Sequence, residues 1–247
     1  MSKPHGIILA GGDSLRFAGA TGLHKSLAPI ADAPLILHVA AMLVRGGAGA
    51  ITVLTGAAHA AICAGLGTGQ LQVRGHAPTH ITLRQSAPDL GTAGRLATLP
   101  AAMLGEGALL AYTDVLSDAP LADLLALRRS RQAALAMLAV QPDMPWGIAR
   151  LKGDKITDFT EKPPLDRGWV NGGIFAVSAA ILPHIHAPHE MLEREPMARL
   201  IAAEQAVALR HRGIWRAVDT TKDHARLNDD LARAALDGIA DAQPRLI

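Results

Sequence analysis

Two cations follow a pair of glycines near the start of the chain. Gly11 and Gly12 come directly after the apolar residues 7–10, and Arg16 and Lys25 come next. A strand that ends in bare backbone lets a phosphate chain approach closely, and arginine and lysine hold its charge. The spacing matches neither the GxGxxG nor the GxxxxGK[ST] pattern. We therefore predict a triphosphate-binding loop of another kind, although a glycine pair alone also occurs in ordinary sharp turns.

Two aspartates each follow a predicted apolar strand. Asp114 comes after residues 107–112, and Asp219 comes after residues 213–218. Two carboxylates together with phosphate oxygens are a ligand set that Mg²⁺ prefers. The pair therefore predicts a magnesium site if both side chains point into one cleft. The alternative role for each aspartate is the N-cap of a following helix.

Two polar loops between later strands carry further candidate binding groups. One contains Glu161 and Lys162, and the other contains Asn171 and Gly172. Together they supply an acid, a cation and an amide at one edge of the sheet, which suits a phosphorylated sugar. A simple turn explains each loop taken singly. The histidines between residues 184 and 189 are interpreted as a surface loop, because their spacing does not match the zinc-binding HExxH pattern.

The apolar periodicity alternates strands with helices. Residues 7–10, 34–44 and 50–55 predict a strand, a helix and a strand, the unit that builds a parallel sheet with right-handed crossovers. Later segments continue the pattern, with helices predicted at 94–104, 121–131, 191–204 and 222–240, and loops at 71–79 and 160–173. The predicted fold class is α/β, with ligands bound beyond the carboxyl ends of the strands.

Composition narrows the class of protein. The chain has 247 residues, a net charge of +2 and one cysteine, Cys63. We expect a single domain over residues 1–247. No apolar run could cross a bilayer and the start resembles no secretory signal, so we expect a cytoplasmic protein without a membrane partner. The basic residues are dispersed and few aromatic residues accompany them, so we expect no nucleic-acid partner.

The motifs together resemble those of a known family. They are LAGG near the start, HKSLAPI, TAGRL at 92–96, YTDVLSD at 112–118, FTEKP, GWVNGGIFAV, LEREPMARL and GIWRAVDTTKDHARLN. The chain resembles the sugar-1-phosphate nucleotidylyltransferases, and most closely the glucose-1-phosphate cytidylyltransferases. The resemblance implies a Rossmann-like nucleotidyltransferase fold, a GT-A-like three-layer sandwich with a mixed, mainly parallel sheet. It also implies a nucleotide-binding part at about 1–118, a sugar-phosphate-binding part at about 119–221 and a C-terminal helix at about 222–240.

The resemblance further assigns roles to individual residues. Arg16, Lys25 and Asp114 would be catalytic, and Asp114 and Asp219 would hold Mg²⁺. The nucleotide-binding residues would be Leu9, Ala10, Gly11, Gly12, Arg16, Lys25, Thr92, Gly94, Arg95 and Thr113. The sugar-phosphate-binding residues would be Glu161, Lys162, Asn171, Gly172 and Glu195.

The implied reaction is the Mg²⁺-dependent transfer of a nucleotidyl group from a nucleoside triphosphate to a sugar 1-phosphate. CTP and glucose 1-phosphate are favoured as substrates. A guanylyltransferase for heptose 1-phosphate, mannose 1-phosphate or molybdenum cofactor is one alternative, and a non-catalytic nucleotide-sugar binder is another. A homo-oligomer is also left open.

The chain departs from the family pattern at Ser14 and Leu15, which replace a glycine and a threonine, and at Thr113, which replaces a glycine.

Overall fold

A nine-stranded sheet forms the centre of the computed structural model. The structure describes residues 3–12, 14–67, 69–144, 146–163, 165, 168–233, 239 and 243–247. The strands, numbered in chain order, are β1 (His5–Ala10), β2 (Pro29–Ile30), β3 (Ala33–Pro34), β4 (Ala50–Thr55), β5 (Gln70–Gln72), β6 (Thr79–Gln85), β7 (Ala108–Tyr112), β8 (Val115–Ser117), β9 (Leu135–Val140), β10 (Ile148–Lys152), β11 (Lys155–Thr160), β12 (Val170–Val177), β13 (Ala206–His211), β14 (Trp215–Ala217) and β15 (Arg245–Leu246).

Helices cover both faces of this sheet. They are α1 (Leu15–Thr21), α2 (Leu35–Arg45), α3 (His59–Leu66), α4 (Thr92–Ala97), α5 (Ala101–Leu104), α6 (Leu121–Ser130), α7 (Glu195–Ala202) and α8 (Thr221–Ala232), with 3₁₀ turns at Lys25–Leu27 and Ala179–His184. No helix in the described ranges combines the length and apolarity that a membrane crossing needs.

The central sheet is mixed and mainly parallel, as predicted. Its strand order is β13-β9-β12-β7-β1-β4-β6-β5-β15. Strands β1, β4, β6 and β7 run parallel to one another, and β9 and β13 run in the same direction. Strand β12 lies antiparallel between β7 and β9. The carboxyl ends of the parallel strands therefore meet at one edge, together with the start of β12.

The apolar side chains of the strands divide between two cores. In β1, Ile8 belongs to the core under α2, whereas Ile7 and Leu9 belong to the core under α4 and α7. Strands that are buried on both faces need continuous apolar runs. This requirement explains why the sequence shows β1 and β7 as unbroken apolar segments.

Three sequence predictions need correction. Residues 71–79 were expected to form a loop, but β5 extends to Gln72 and β6 begins at Thr79, and the two strands pair antiparallel. The helix expected at 94–104 is two short helices separated by Pro100, which lacks the N–H that a helix interior requires. The loop expected at 160–173 ends earlier, because β12 begins at Val170. The helix expected at 222–240 is described only as far as Ala232, and most of its remainder lies outside the described residues.

The fit of α4 against the loop before α7 predicts the outcome of a glycine substitution. A Cβ atom at Gly94 would overlap the backbone carbonyl oxygen of Pro188. Because a backbone group cannot rotate away, we expect Gly94→Ala to lower the free energy of unfolding by about 2 kcal/mol or more. Gly19 is the matched control, since its Cβ would meet nothing within 4 Å. Chemical denaturation should show Gly19→Ala neutral or slightly stabilising, and equal effects of the two variants would contradict the assigned packing.

Candidate active site

The edge between β1 and β7 carries the first site residues. These strands pair in register with Leu9 opposite Tyr112. Gly11 and Gly12 therefore leave β1 beside Thr113 and Asp114, which leave β7. The parallel pairing brings the predicted phosphate loop and the first predicted carboxylate to the same place.

A short antiparallel ladder brings in the second carboxylate. Strand β14 pairs with β8, with Ala217 opposite Val115. The amide of Val218 donates a hydrogen bond of 2.8 Å to the carbonyl oxygen of Asp114. Asp219, which follows β14, therefore lies beside Asp114, which precedes β8. The two side chains enter one cleft.

Lys25 joins the two carboxylates. Its Nζ atom lies 2.7 Å from Asp114 Oδ2 and 3.1 Å from Asp219 Oδ1. Burial alone would lower the pKa of Lys25, but the charges and hydrogen bonds of Asp114 and Asp219 outweigh burial and raise the pKa above its ordinary value. The side chain therefore remains a cation, and the cleft holds one positive and two negative groups in contact.

Neither aspartate caps a helix through its side chain. Helix α6 follows Pro120 and has no side-chain cap. Helix α8 is capped by Thr220, which forms a capping box with Asp223. The N-cap alternative is therefore wrong for Asp114 and Asp219, and their carboxylates face the cleft.

The two carboxylates have the chemistry of a magnesium site. Their oxygens lie close to one nitrogen atom that already carries a positive charge, so the same position suits a cation. Hard carboxylate oxygens fit Mg²⁺, which usually takes only one or two protein carboxylates and fills its shell with water and phosphate oxygens. Within the described ranges, no group of three or more acidic, histidine or cysteine side chains gathers into a metal cage.

These groups line a cavity of about 740 Å³. Among the predicted residues, those in its wall are Leu9, Gly11, Gly12, Lys25, Thr92, Arg95, Thr113, Asp114 and Asp219. Ala10 and Gly94 are buried behind it. The side chain of Arg16 lies outside the described part of the structure. The predicted nucleotide half of the site is thus largely gathered into one cavity.

The buried side chain of Arg95 supports the loop that contains Gly11 and Gly12. Only 4% of Arg95 is exposed. The guanidinium donates hydrogen bonds to the carbonyl oxygens of Gly11, Thr55 and Pro88. A Cβ atom at Gly11 would overlap this guanidinium. Gly11 is therefore required for the close approach of Arg95, and Arg95 fixes the position of the loop.

A second contact fixes the loop from the other side. Ser14 has a left-handed backbone with φ 51°, a conformation in which glycine is easier to place. This position is where the family pattern has glycine. The His24 ring lies between the two ends of the loop, with Nε2 2.9 Å from the Gly12 carbonyl oxygen and 3.2 Å from Ser14 Oγ. His24 therefore ties the loop to the turn that carries Lys25.

Two site residues, Tyr112 and Glu193, were not predicted from the sequence. Tyr112 donates a short hydrogen bond to Glu193, and Thr92 Oγ1 donates one of 3.2 Å to the other carboxylate oxygen. Burial and the Glu193 charge raise the pKa of Tyr112, so its hydroxyl keeps its proton. The side chains of Tyr112 and Glu193 line the cavity. The position of Pro196 at the start of α7 was the available signal, because it places Glu193 in the loop before the helix.

The predicted sugar-phosphate residues lie outside this cavity wall. Glu195 is exposed in the first turn of α7, so Glu193 and not Glu195 is the acid of this segment that reaches the cavity. Glu161 and Lys162 are exposed after β11. Asn171 Oδ1 accepts a hydrogen bond from the Gly173 amide. The Gly172 carbonyl oxygen accepts one from the Trp215 indole, which holds this part of β12 beside β14.

The nucleotidyl transferase family model matches residues 5–233. The chain belongs to the nucleotidyl transferase family. A Bacillus subtilis (strain 168) protein named "probable glucose-1-phosphate cytidylyltransferase" is 26% identical over 90% of this chain and 94% of its own. Mannose-1-phosphate guanylyltransferase 1 of Arabidopsis thaliana is 26% identical over 88% of this chain and 62% of its own. The predicted resemblance to the sugar-1-phosphate nucleotidylyltransferases is confirmed, and the chain is an enzyme of this class.

A solved structure supports the same fold. UDP-glucose pyrophosphorylase complexed with UDP-glucose superposes with a TM-score of 0.68 at 13% identity, covering 94% of the enzyme described here and 99% of the other chain. The Rossmann-like α/β fold predicted from the motifs is therefore confirmed.

The support that Arg95 gives the loop predicts a stability effect without any ligand. In Arg95→Met, three carbonyl oxygens lose a buried donor, so we expect the free energy of unfolding to fall by about 3 kcal/mol. Arg84 is the matched control, because it is exposed and donates a hydrogen bond to the carbonyl oxygen of Thr98. Arg84→Met should change stability by less than about 1 kcal/mol. If Arg95→Met unfolds like the wild type without nucleotide, Arg95 does not organise the loop.

Proposed function

We propose that the enzyme transfers a nucleotidyl group from a nucleoside triphosphate, with CTP favoured, to a sugar 1-phosphate, with glucose 1-phosphate favoured. The products are a nucleoside diphosphate sugar and pyrophosphate. The observation that carries the proposal is the contact of Lys25 with both Asp114 and Asp219 beside the glycine loop. A cation and two carboxylates in the wall of one cavity are suited to a triphosphate and its metal ion.

The triphosphate would lie along the glycine loop. Backbone amides at Gly11 and Gly12 suit phosphate oxygens, and the raised pKa of Lys25 keeps a full positive charge at the same place. Arg16, which follows in α1, is proposed as a second cation for the phosphates. Arg95 would act through the loop, because its guanidinium already bonds to backbone carbonyls.

Asp114 and Asp219 would hold Mg²⁺. A bound Mg²⁺ supplies charge neutralisation and a fixed orientation for the phosphates. With a divalent cation on those oxygens, the ammonium of Lys25 would lose its two ion-pair partners. The triphosphate would then be the anion available to it. Lys25 would thus be positioned by the carboxylates before substrate binding and directed to phosphate afterwards.

The chemical step would be an in-line displacement at the α-phosphorus. An oxygen of the sugar 1-phosphate forms the new bond to this phosphorus, and the bond to the departing pyrophosphate breaks. The attacking phosphate is already ionised near neutral pH, so no protein base is required. Catalysis would come from positioning and from stabilising the negative charge that develops on the phosphates.

Glu193 is proposed to bind hydroxyl groups. Its carboxylate accepts hydrogen bonds from Tyr112 and Thr92, which hold it in the cavity wall. A carboxylate repels phosphate but accepts hydrogen bonds from sugar hydroxyls. It therefore suits the sugar or ribose part of a substrate. Glu161, Lys162, Asn171 and Gly172 remain proposed for the sugar phosphate, and their positions outside the cavity wall would require the sugar end to lie towards β9 and β12.

The base and the sugar are separate parts of the proposal. The relatives named above include a cytidylyltransferase and a guanylyltransferase. The motifs GWVNGG and GIWRAVDT favour CTP over GTP. The non-catalytic alternative is disfavoured by the three charged groups in contact, because a binder does not need two carboxylates beside a phosphate loop.

The metal assignment predicts the effect of one substitution. Asp114→Asn keeps the shape of the side chain but removes a charge, so we expect the turnover number to fall on the order of a thousandfold or more. Asp123→Asn is the matched control, since Asp123 is exposed in the first turn of α6. Pyrophosphate release at saturating Mg²⁺ measures both variants. A wild-type rate in a folded Asp114→Asn enzyme would rule out this carboxylate as a metal ligand.

The substrate assignment predicts the outcome of a panel assay. Pyrophosphate release should be fastest with CTP and glucose 1-phosphate when CTP, GTP, UTP and dTTP are each combined with glucose, mannose and heptose 1-phosphates. Faster turnover with GTP would replace the cytidylyl assignment by the guanylyl alternative. Retained triphosphate binding without release for any pair would instead support the non-catalytic binder.

A further inference from the structure

The ring of His24 contacts both the glycine loop and the turn that carries Lys25. Its Nε2 atom lies 2.9 Å from the Gly12 carbonyl oxygen and 3.2 Å from Ser14 Oγ. Its Nδ1 atom lies 3.3 Å from the amide nitrogen of Ser26, in the 3₁₀ turn Lys25–Leu27. The reaction described above assigns no role to this side chain.

The partners of the His24 ring determine where its proton lies. The Ser26 amide only donates hydrogen bonds, so Nδ1 accepts from it and carries no proton. The Gly12 carbonyl oxygen only accepts, so Nε2 carries the proton and donates it. Both contacts are therefore satisfied only by the neutral ring with its proton on Nε2. The backbone thus selects one tautomer and one orientation of the ring.

The contacts of His24 hold the backbone of Lys25 in place. His24 is the N-cap of the turn that begins at Lys25, and its own carbonyl oxygen accepts a hydrogen bond of 2.8 Å from the Leu27 amide. The Lys25 side chain is held separately, by Asp114 and Asp219. Those ion pairs would be lost when the carboxylates take a divalent cation. The contacts of His24 do not involve the carboxylates, so they would persist when the site is loaded.

We propose that His24 is a positioning residue, which holds Lys25 at a fixed distance from the glycine loop. The ammonium and the loop amides would then meet the same phosphate chain without rearrangement, and preorganised charge of this kind lowers the barrier. Gly12, Ser14 and Lys25 line the cavity, and His24 is not among the described residues of its wall. His24 therefore acts through its neighbours. This role rests on the proposed function, because it needs a triphosphate in the cavity.

Two amide substitutions separate the two contacts of the ring. The carboxamide oxygen of asparagine takes the place of Nδ1, and asparagine is a good N-cap, so His24→Asn keeps the cap and loses the contact with Gly12. The carboxamide nitrogen of glutamine takes the place of Nε2, so His24→Gln keeps the loop contact and loses the cap. His24→Ala loses both. Because a connection is broken by cutting either end, each amide variant should lose as much function as His24→Ala.

Calorimetry and steady-state kinetics test this role on the full chain. Each of the three His24 variants should bind a CTP analogue with a methylene group between its α- and β-phosphorus atoms about tenfold more weakly in the presence of Mg²⁺. The kcat/KM for CTP should also fall about tenfold, while the KM for glucose 1-phosphate stays unchanged. His80→Ala is the matched control, since His80 is exposed on β6 and its ring contacts Gln70. This control should leave all three values unchanged.

The pattern among the variants decides the outcome. Wild-type binding and kinetics in all three His24 variants would overturn the positioning role. Losses in His24→Asn and His24→Gln that add up to the loss in His24→Ala would show two independent local contacts, and would overturn it as well. A rise in the KM for glucose 1-phosphate, or a lower denaturation midpoint without nucleotide, would show general disorder and contradict it too. A wild type that neither binds nor uses any triphosphate would instead overturn the proposed function, and this role with it.

Discussion

The ion pairs of Lys25 with Asp114 and Asp219 are the constraint on which the site depends. The three residues come from distant parts of the chain, and partly exposed ion pairs are individually weak in water. They cannot hold three segments together alone. The buried register of β1 with β7 and the ladder of β8 with β14 bring the groups into contact. The charges then determine which ligands the cleft accepts. Burial of the apolar core offsets the conformational entropy that is lost when the chain becomes ordered.

The phosphate loop is ordered by contacts that lie beneath and beside it. Arg95 satisfies carbonyl groups of the loop and of its neighbours, and His24 joins Gly12 to Ser14. On the loop itself, these contacts reach the carbonyl oxygens of Gly11 and Gly12 and the Ser14 hydroxyl, and they use none of its backbone amides. Ser14, which stands where the family pattern has glycine, adopts a left-handed backbone, and its hydroxyl lies within hydrogen-bond distance of His24.

The sequence predicted the features that are set by burial. Strands β1 and β7 are buried on both faces, so each appears as an apolar run with a functional residue at its end. Features set by local backbone geometry were missed. Strand β5 is short and largely polar and lies between β6 and the edge strand β15, and Pro100 divides a helix whose periodicity continues through it. The reach of Glu193 depends on the path of a loop.

The late position of Asp219 has a consequence for synthesis of the protein. Asp219 lies just before α8, and α8 packs on α1 through an edge contact between the rings of Phe17 and His224. A nascent chain that contains β1, β4 and β7 still lacks this carboxylate. The glycine loop, Lys25 and Asp114 can therefore come together before Asp219 has been added, and the second ion pair of Lys25 forms only after β14 has been synthesised.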